Sequence, residues 1–153
     1  MRLVAFAAAA AMIVATAALA QLRPPEAAGT IRARQANYKQ MAAAMKGIGD
    51  ELKGSRPSAH RIRRHSAVIA GFAPQLLRWF PRGSGPEAGV RTRARPDIWA
   101  DNQGFTRAGA VLVVAARNLD AAARRGDLAS VRAALPAVRS ACGGCHDDFR
   151  APE

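Results

Sequence analysis

Apolar residues recur three or four positions apart in four stretches of the chain, which is the spacing of one face of an α-helix. We expect the first helix to begin after Thr30, a residue type suited to an N-cap, and to end at Gly54. The second is expected to open at Ser55, to kink at Pro74 and to stop at Pro81. The two apolar stripes are Ile31, Tyr38, Met41, Met45, Ile48 and Leu52, and then Ile62, Ile69, Phe72, Leu76 and Phe80.

The second half of the chain predicts two further helices. The third is expected to run from about Asp97 to Arg125, and Gly126 then breaks the chain. Asp127 is a suitable N-cap for the fourth helix, in which Pro136 is expected to cause a bend. The stripes are Ile98, Phe105, Leu112, Ala115 and Leu119 in the third helix, and Leu128, Val131, Leu135, Val138, Cys142, Cys145 and Phe149 in the fourth.

The segment between the second and third helices, Pro81–Pro96, is rich in glycine, proline and arginine and predicts a crossing loop. No segment has the alternating pattern of a strand, and no internal repeat is present. Four amphipathic helices joined mostly by short turns predict an all-α protein, an antiparallel four-helix bundle. Bundles of this kind hold cofactors between their helices.

The N-terminus has the pattern of a secretory signal peptide. Arg2 precedes an apolar run, and Ala18-Leu19-Ala20 resembles a cleavage site. We therefore expect a signal peptide over residues 1–20, one domain over residues 21–153 and a periplasmic location. An uncleaved anchor is the alternative, but the apolar run is short for a bilayer span, so we expect no stable membrane insertion after cleavage.

The chain is strongly basic, with a formal net charge of +12 and 23 basic residues, of which only Lys39, Lys46 and Lys53 are lysines. Such a balance is compatible with nucleic-acid binding, but export and the low aromatic content argue against it. The charge is better explained as a solvated surface, or as one that steers an acidic redox partner in the periplasm.

Near the C-terminus stands Cys142-Gly143-Gly144-Cys145-His146, a C-x-x-C-H sequence that is the attachment signature of a c-type haem. A structural zinc site needs about four ligands, and the chain has only two cysteines. A thioredoxin-like site needs strand–helix alternation, which is missing, and a plain disulfide would leave the histidine unexplained. We therefore predict one covalent haem c, with thioether bonds to Cys142 and Cys145.

The haem should lie inside the bundle. Spacings of three and four residues place Cys142, Cys145 and His146 on one face of the fourth helix, and this face is also the apolar stripe. The haem is therefore expected to lie with its edge toward the fourth helix and with His146 as its axial iron ligand.

The chain resembles the cytochrome c′ family of exported haem proteins over essentially all of residues 21–153. The resemblance is carried by the C-x-x-C-H-x-x-F-R run at Cys142–Arg150, the loop Phe80–Gly85, the segment Pro96–Trp99 and the R-Q-A-x-Y run at Arg34–Tyr38. It implies that Arg34 pairs with a haem propionate, that Tyr38 covers the vacant iron face and that Arg150 lies beside the proximal imidazole.

The function implied is a haem protein with high-spin, five-coordinate iron that binds nitric oxide and carbon monoxide or transfers electrons. The resemblance also implies a homodimer formed through the first two helices. The alternative is a low-spin, six-coordinate electron carrier with Met41 or Met45 as the distal ligand. A dedicated enzyme is not expected, because the first helix offers no distal acid or base, and His60 and His65 are expected to face solvent.

Overall fold

The computed structural model describes residues 22–152, so the predicted signal peptide over residues 1–20 lies outside the described part. Five α-helices follow one another within it. They are α1 (Pro24–Lys53), α2 (Ala59–Phe72), α3 (Asp97–Ala100), α4 (Asn102–Arg124) and α5 (Leu128–Phe149), and a 3₁₀ segment, Ala73–Trp79, extends α2. The four long helices form the expected antiparallel four-helix bundle, and α3 is a single additional turn.

The first helix begins seven residues earlier than expected, at Pro24 rather than after Thr30. Prolines suit the first helical positions because they have no backbone N–H to satisfy there. The Glu26 side chain accepts a hydrogen bond from the Arg23 backbone N–H at 3.2 Å and so closes the N-terminus. The extension buries Ala27, which adds a contact to the core that the sequence pattern did not include.

Two further boundaries differ from expectation. The second helix begins after Ser58 rather than at Ser55, and the chain changes at Ala73 from α-helix to 3₁₀ helix instead of kinking within one helix. Pro74 lacks the N–H that would continue the α-helical ladder. The expected third helix is broken at Asp101, whose side chain accepts a hydrogen bond from the Gly104 N–H at 2.8 Å and caps α4.

The last helix agrees best with the sequence pattern. Asp127 caps α5 by accepting from the Ser130 N–H at 3.0 Å, and Gly126, at φ +70°, makes the turn that precedes it. The helix continues through Pro136 to Phe149, and Pro136 itself is exposed.

The core contains the predicted apolar stripes and one buried polar contact between α2 and α4. Ser66, which is fully buried, donates to Asp120 at 2.9 Å, and Asp120 also pairs with Arg124. Helices pack closely as α1 on α2, α2 on α4 and α4 on α5, but backbone contact between α1 and α5 is sparse. Within residues 22–152, none of the helices is long and apolar enough to cross a membrane.

Candidate cofactor site

The gap between α1 and α5 is a cavity of about 830 Å³. Its walls come from both helices, from α2 and the 3₁₀ segment, from the loop before α3 and from α3 and α4. A volume of this size is typical of a cofactor site. Most of its lining is apolar: Met41, Ala42, Met45, Ile69, Leu76, Phe80, Ala94, Ile98, Phe105, Leu112 and Phe149.

The α5 wall contains the complete C-x-x-C-H sequence. Cys142, Cys145 and His146 all line the cavity, as their spacing on one helix face predicts. Both cysteines are unpaired and half-buried. Burial raises the pKa of both thiols, and for Cys145 the pKa rises to about 11, with smaller contributions from Cys142 and Asp148. Both thiols are therefore protonated and weakly nucleophilic at neutral pH.

The environment of His146 keeps its imidazole neutral. Loss of hydration on the packed side of the imidazole lowers its pKa, and the positive charge of Arg150 lowers the pKa further. The charge of Asp147 acts in the opposite direction, and that of Arg93 adds a smaller decrease. A neutral imidazole is the form that binds a metal.

The C-terminal segment that carries Arg150 is attached to the loop before α3. Arg95 donates its N–H to the Phe149 carbonyl at 3.0 Å, and Ala151 donates to the Arg93 carbonyl at 2.8 Å. These bonds hold Arg150, whose exposed side chain lines the cavity, beside His146.

Arg34 is a buried cation on the α1 wall, only 3% exposed. Its guanidinium donates to Ser84 Oγ at 2.9 Å and to Thr92 Oγ1 at 2.8 Å, and it lies 4.5 Å from the centre of the Phe80 ring. Both hydroxyls are neutral, and no carboxylate of residues 22–152 is in direct contact with this positive charge at the cavity wall. Burial lowers the pKa of Arg34, and the charge of Glu87 acts in the opposite direction.

Tyr38 lies one helical turn after Arg34 on the same wall and is half-buried. Its ring meets Trp79 edge-on, with 5.4 Å between ring centres, and lies 6.3 Å from Phe80. Burial raises the pKa of Tyr38 above its usual range, and the nearby Cys145 adds to the shift. Tyr38 is therefore a neutral phenol, which is a poor iron ligand compared with a phenolate.

The raised pKa of Tyr38 predicts resistance to alkaline ionisation. The folded state disfavours the phenolate, so the phenol stays protonated near pH 10 and stability decreases as pH rises above the usual tyrosine pKa. Because Tyr38 is the only tyrosine in the chain, phenolate absorbance in the wild type minus that of Tyr38→Phe measures this group alone. Half-ionisation near pH 10 in the folded protein would contradict the prediction.

The remaining candidates fall into two groups. Met41 and Met45 both line the cavity, and Met41 is buried. His60 is exposed as expected, but the prediction for His65 is wrong, because His65 is half-buried and lies against Gly47 in the α1–α2 interface. A side chain at position 47 would occupy the space of the imidazole. Neither histidine lines the cavity.

Several residues of the site were not identified from the sequence. Ser84 and Thr92 lie in the predicted crossing loop, and both accept hydrogen bonds from Arg34. Trp79 did not lie on the apolar stripe of its helix, and it reaches Tyr38 because the α-helix gives way to 3₁₀ geometry at Ala73. Signals for these contacts were weak, since each joins residues at least 40 positions apart.

The cavity fits a haem. Two thiols and a neutral imidazole line one wall, which is the donor set that attaches a c-type haem and binds its iron. The apolar lining suits the macrocycle, and the buried Arg34 guanidinium suits an anionic propionate.

Comparisons with known proteins agree with this geometry. A family model described as cytochrome c′ matches residues 29–150. A cytochrome c′ of Rhodopseudomonas palustris is 37% identical over 122 residues, covering 79% of this chain and 81% of that protein. The structure is similar to that of cytochrome c′ from Thermochromatium tepidum, with a TM-score of 0.75, 31% identity and coverage of 87% of this chain and 100% of the other. It is also similar to a ferrous variant of cytochrome c prime from Alcaligenes xylosoxidans with bound nitric oxide, with a TM-score of 0.73, 27% identity and coverage of 86% and 98%.

Proposed function

The chain belongs to the cytochrome c′ family, whose members carry one covalent haem c, and from this premise we propose that it binds small diatomic gases at five-coordinate haem iron. The observation that carries the proposal is the cavity between α1 and α5, with the C-x-x-C-H residues on one wall and Tyr38 on the other. Nitric oxide bound to the similar protein from Alcaligenes xylosoxidans supports the same ligand class here.

Each site residue has a defined role in this proposal. Cys142 and Cys145 would hold the haem by thioether bonds, and His146 would bind its iron. Arg34 neutralises a propionate, and Arg150 lies on the proximal side. The haem supplies an iron that binds nitric oxide and carbon monoxide and that changes oxidation state.

Tyr38 controls access to the opposite iron face. As a neutral phenol it would not bind the iron, and its ring would lie in the path of a gas that enters the cavity. A small uncharged molecule enters only when Tyr38 moves away from Trp79 and Phe80. This requirement makes Tyr38 the residue that sets the rate of gas binding.

The alternative remains an electron carrier in which Met41 or Met45 binds the iron, because both methionines line the cavity. Absorption spectra of the haem-loaded protein separate the two functions. We expect a broad, unsplit band in the dithionite-reduced protein that sharpens with carbon monoxide, as for five-coordinate iron. Sharp, split bands that carbon monoxide does not change would support a methionine ligand instead.

Replacement of Arg34 by glutamine tests the propionate contact. Loss of the buried positive charge should lower the reduction potential of the haem. Ferric haem carries one more positive charge than ferrous haem, so a nearby cation disfavours the ferric form and its removal stabilises that form. Ser84 and Thr92 keep other hydrogen-bond partners, so we expect a stability loss of only about 1–3 kcal/mol. Arg32→Gln, an exposed position on the same helix, is the matched control. Equal potentials in the two variants, measured by spectroelectrochemical titration, would exclude Arg34 from the propionate role.

Electron exchange with an acidic periplasmic partner is a second proposed function. The cations Lys39, Lys46, Arg93, Arg139 and Arg150 line the cavity, and no carboxylate does so among the described residues. Lys46 is paired with Asp50, so part of this charge is already balanced. Lys39, Arg139 and Arg150 would steer an acidic redox protein toward the haem edge.

Three features of the working protein follow from the same proposal. We propose a periplasmic location, since the predicted signal peptide over residues 1–20 would direct export. A homodimer through α1 and α2 is proposed on the family resemblance. A dedicated enzymatic role is not proposed. His146 is assigned to the iron, and the described residues that line the cavity include no Asp or Glu that could move protons to a bound substrate.

A further inference from the structure

All aromatic residues of the described chain form one connected cluster. Ring contacts with centres 5.1 to 6.3 Å apart join each to at least one other. The contacts run from the outer part of the 3₁₀ segment, past the cavity, to the end of α5 beside the haem-binding sequence. The members are Tyr38, Phe72, Trp79, Phe80, Trp99, Phe105 and Phe149.

Two members of the cluster are easily oxidised and touch one another directly. Tyr38 lines the cavity, and its ring is 5.4 Å from Trp79 in an edge-on contact. Trp79 is partly exposed and does not line the cavity. Tyrosine and tryptophan lose single electrons more readily than phenylalanine, and rings in contact exchange electrons rapidly. The pair therefore connects the interior of the site to the protein surface.

The third oxidisable ring is less well connected. Trp99 contacts Phe80 and donates its Nε1–H to the Phe80 carbonyl at 3.0 Å. An electron moving between Trp99 and Tyr38 must cross a phenylalanine ring, whereas Trp79 needs no intermediate. The structure thus favours Trp79 over Trp99 as the residue through which an electron passes between the cavity and the surface.

We propose that Tyr38 and Trp79 form an electron relay that carries oxidising equivalents of hydrogen peroxide from the haem cavity to the surface. The inference rests on the proposed function, since it requires haem in the cavity with Tyr38 facing it. The role of the relay is protective, because an open iron face that admits small molecules also admits peroxide.

The chemistry balances with peroxide as the oxidant. The O–O bond breaks, and two electrons and two protons reduce hydrogen peroxide to two molecules of water. Tyr38 loses one electron and its phenol proton, and Trp79 loses one electron and its Nε1 proton, so that two aromatic radicals remain and the iron ends in its starting ferric state. A surface reductant such as ascorbate restores both residues by giving up two electrons and two protons.

Competing sites of oxidation are present in the same cavity. Met41 and Met45 line it, and thioethers are converted by peroxide to sulfoxides. If the relay works, Trp79 should be oxidised before the methionines. The position of the oxidised residues therefore reports the path directly, independently of any gas-binding or electron-transfer activity.

The test exposes the ferric haem-loaded protein to stoichiometric peroxide without reductant. We expect an aromatic radical in freeze-quenched electron paramagnetic resonance spectra and an oxidised Trp79 in peptide mass spectra. In Trp79→Phe, which keeps an aromatic ring at the contact, haem bleaching should accelerate several-fold and oxidation should shift to Met41 and Met45. Trp99→Phe is the matched control and should behave as wild type.

The outcomes separate the relay from the function on which it rests. Carbon monoxide spectra establish first that each variant is folded and has an open iron face. If both variants are folded and bind carbon monoxide, and the haem of Trp79→Phe bleaches no faster than that of Trp99→Phe, the relay is excluded while the gas-binding function stands. Oxidation of Met41 or Met45 with unmodified Trp79 in the wild type also overturns it. A wild-type protein that binds no carbon monoxide contradicts the proposed function itself.

Discussion

Protein produced without haem is expected to lose its fixed tertiary structure. The apolar walls of the cavity of about 830 Å³ lose their packing partner when no haem lies between α1 and α5, and each large apolar side chain left open to water costs about 1.5–3 kcal/mol. Because a typical domain is stable by only about 5–15 kcal/mol, a few such side chains are enough to destabilise the arrangement of α1 and α5. We expect helical structure to persist with fluctuating side-chain packing.

The double variant Cys142→Ser/Cys145→Ser, purified free of haem, tests this expectation. Far-ultraviolet circular dichroism should retain most of its helical signal, while the near-ultraviolet signal of Trp79 and Trp99 is lost and thermal unfolding is no longer cooperative. The haem-loaded wild type is the control. A haem-free variant that unfolds cooperatively, with a free energy of unfolding within about 2 kcal/mol of the control, would show that the cavity closes at little cost.

The fold could be predicted because each helix carries its own apolar periodicity and its own boundary residues. Asp127 and Gly126 defined the start of α5 correctly, since capping and turn formation are local. Errors arose where two local signals competed. Thr30 is a good N-cap, but Pro24 and Glu26 start the helix earlier, and Thr30 then remains inside it.

The site was predictable in part for the same reason. Cys142, Cys145 and His146 lie within five positions on one helix, so their common face follows from helical geometry alone. Arg34 and Tyr38 entered through the family resemblance, and both line the cavity.

The partners of these residues could not be predicted, because they depend on how distant segments meet. Ser84 and Thr92 reach Arg34 across 50 and 58 positions. Trp79 contacts Tyr38 from the end of a segment with 3₁₀ rather than α-helical geometry, in which the side chains project in other directions. No periodicity in the sequence encodes that change.

Replacement of Tyr38 by alanine is expected to accelerate carbon monoxide binding to the ferrous protein by about 5- to 150-fold. In the proposed function, a gas would reach the iron only after Tyr38 leaves its contacts with Trp79 and Phe80. Aromatic pairs contribute about 0.5–1.5 kcal/mol each, so breaking two adds about 1–3 kcal/mol to the barrier, which corresponds to that range of rates. Stopped-flow mixing with carbon monoxide measures the association rate.

Two controls decide whether the ring itself is the barrier. Tyr38→Phe keeps the ring contacts and removes only the hydroxyl, so its association rate should stay close to that of the wild type. Met45→Ala enlarges the same cavity and keeps the aromatic contacts, so it should accelerate carbon monoxide binding less than Tyr38→Ala does. If Met45 were the iron ligand, Met45→Ala would instead give the largest acceleration. An unchanged rate in Tyr38→Ala removes Tyr38 from the lid role and leaves the methionines as the residues that limit access to the iron.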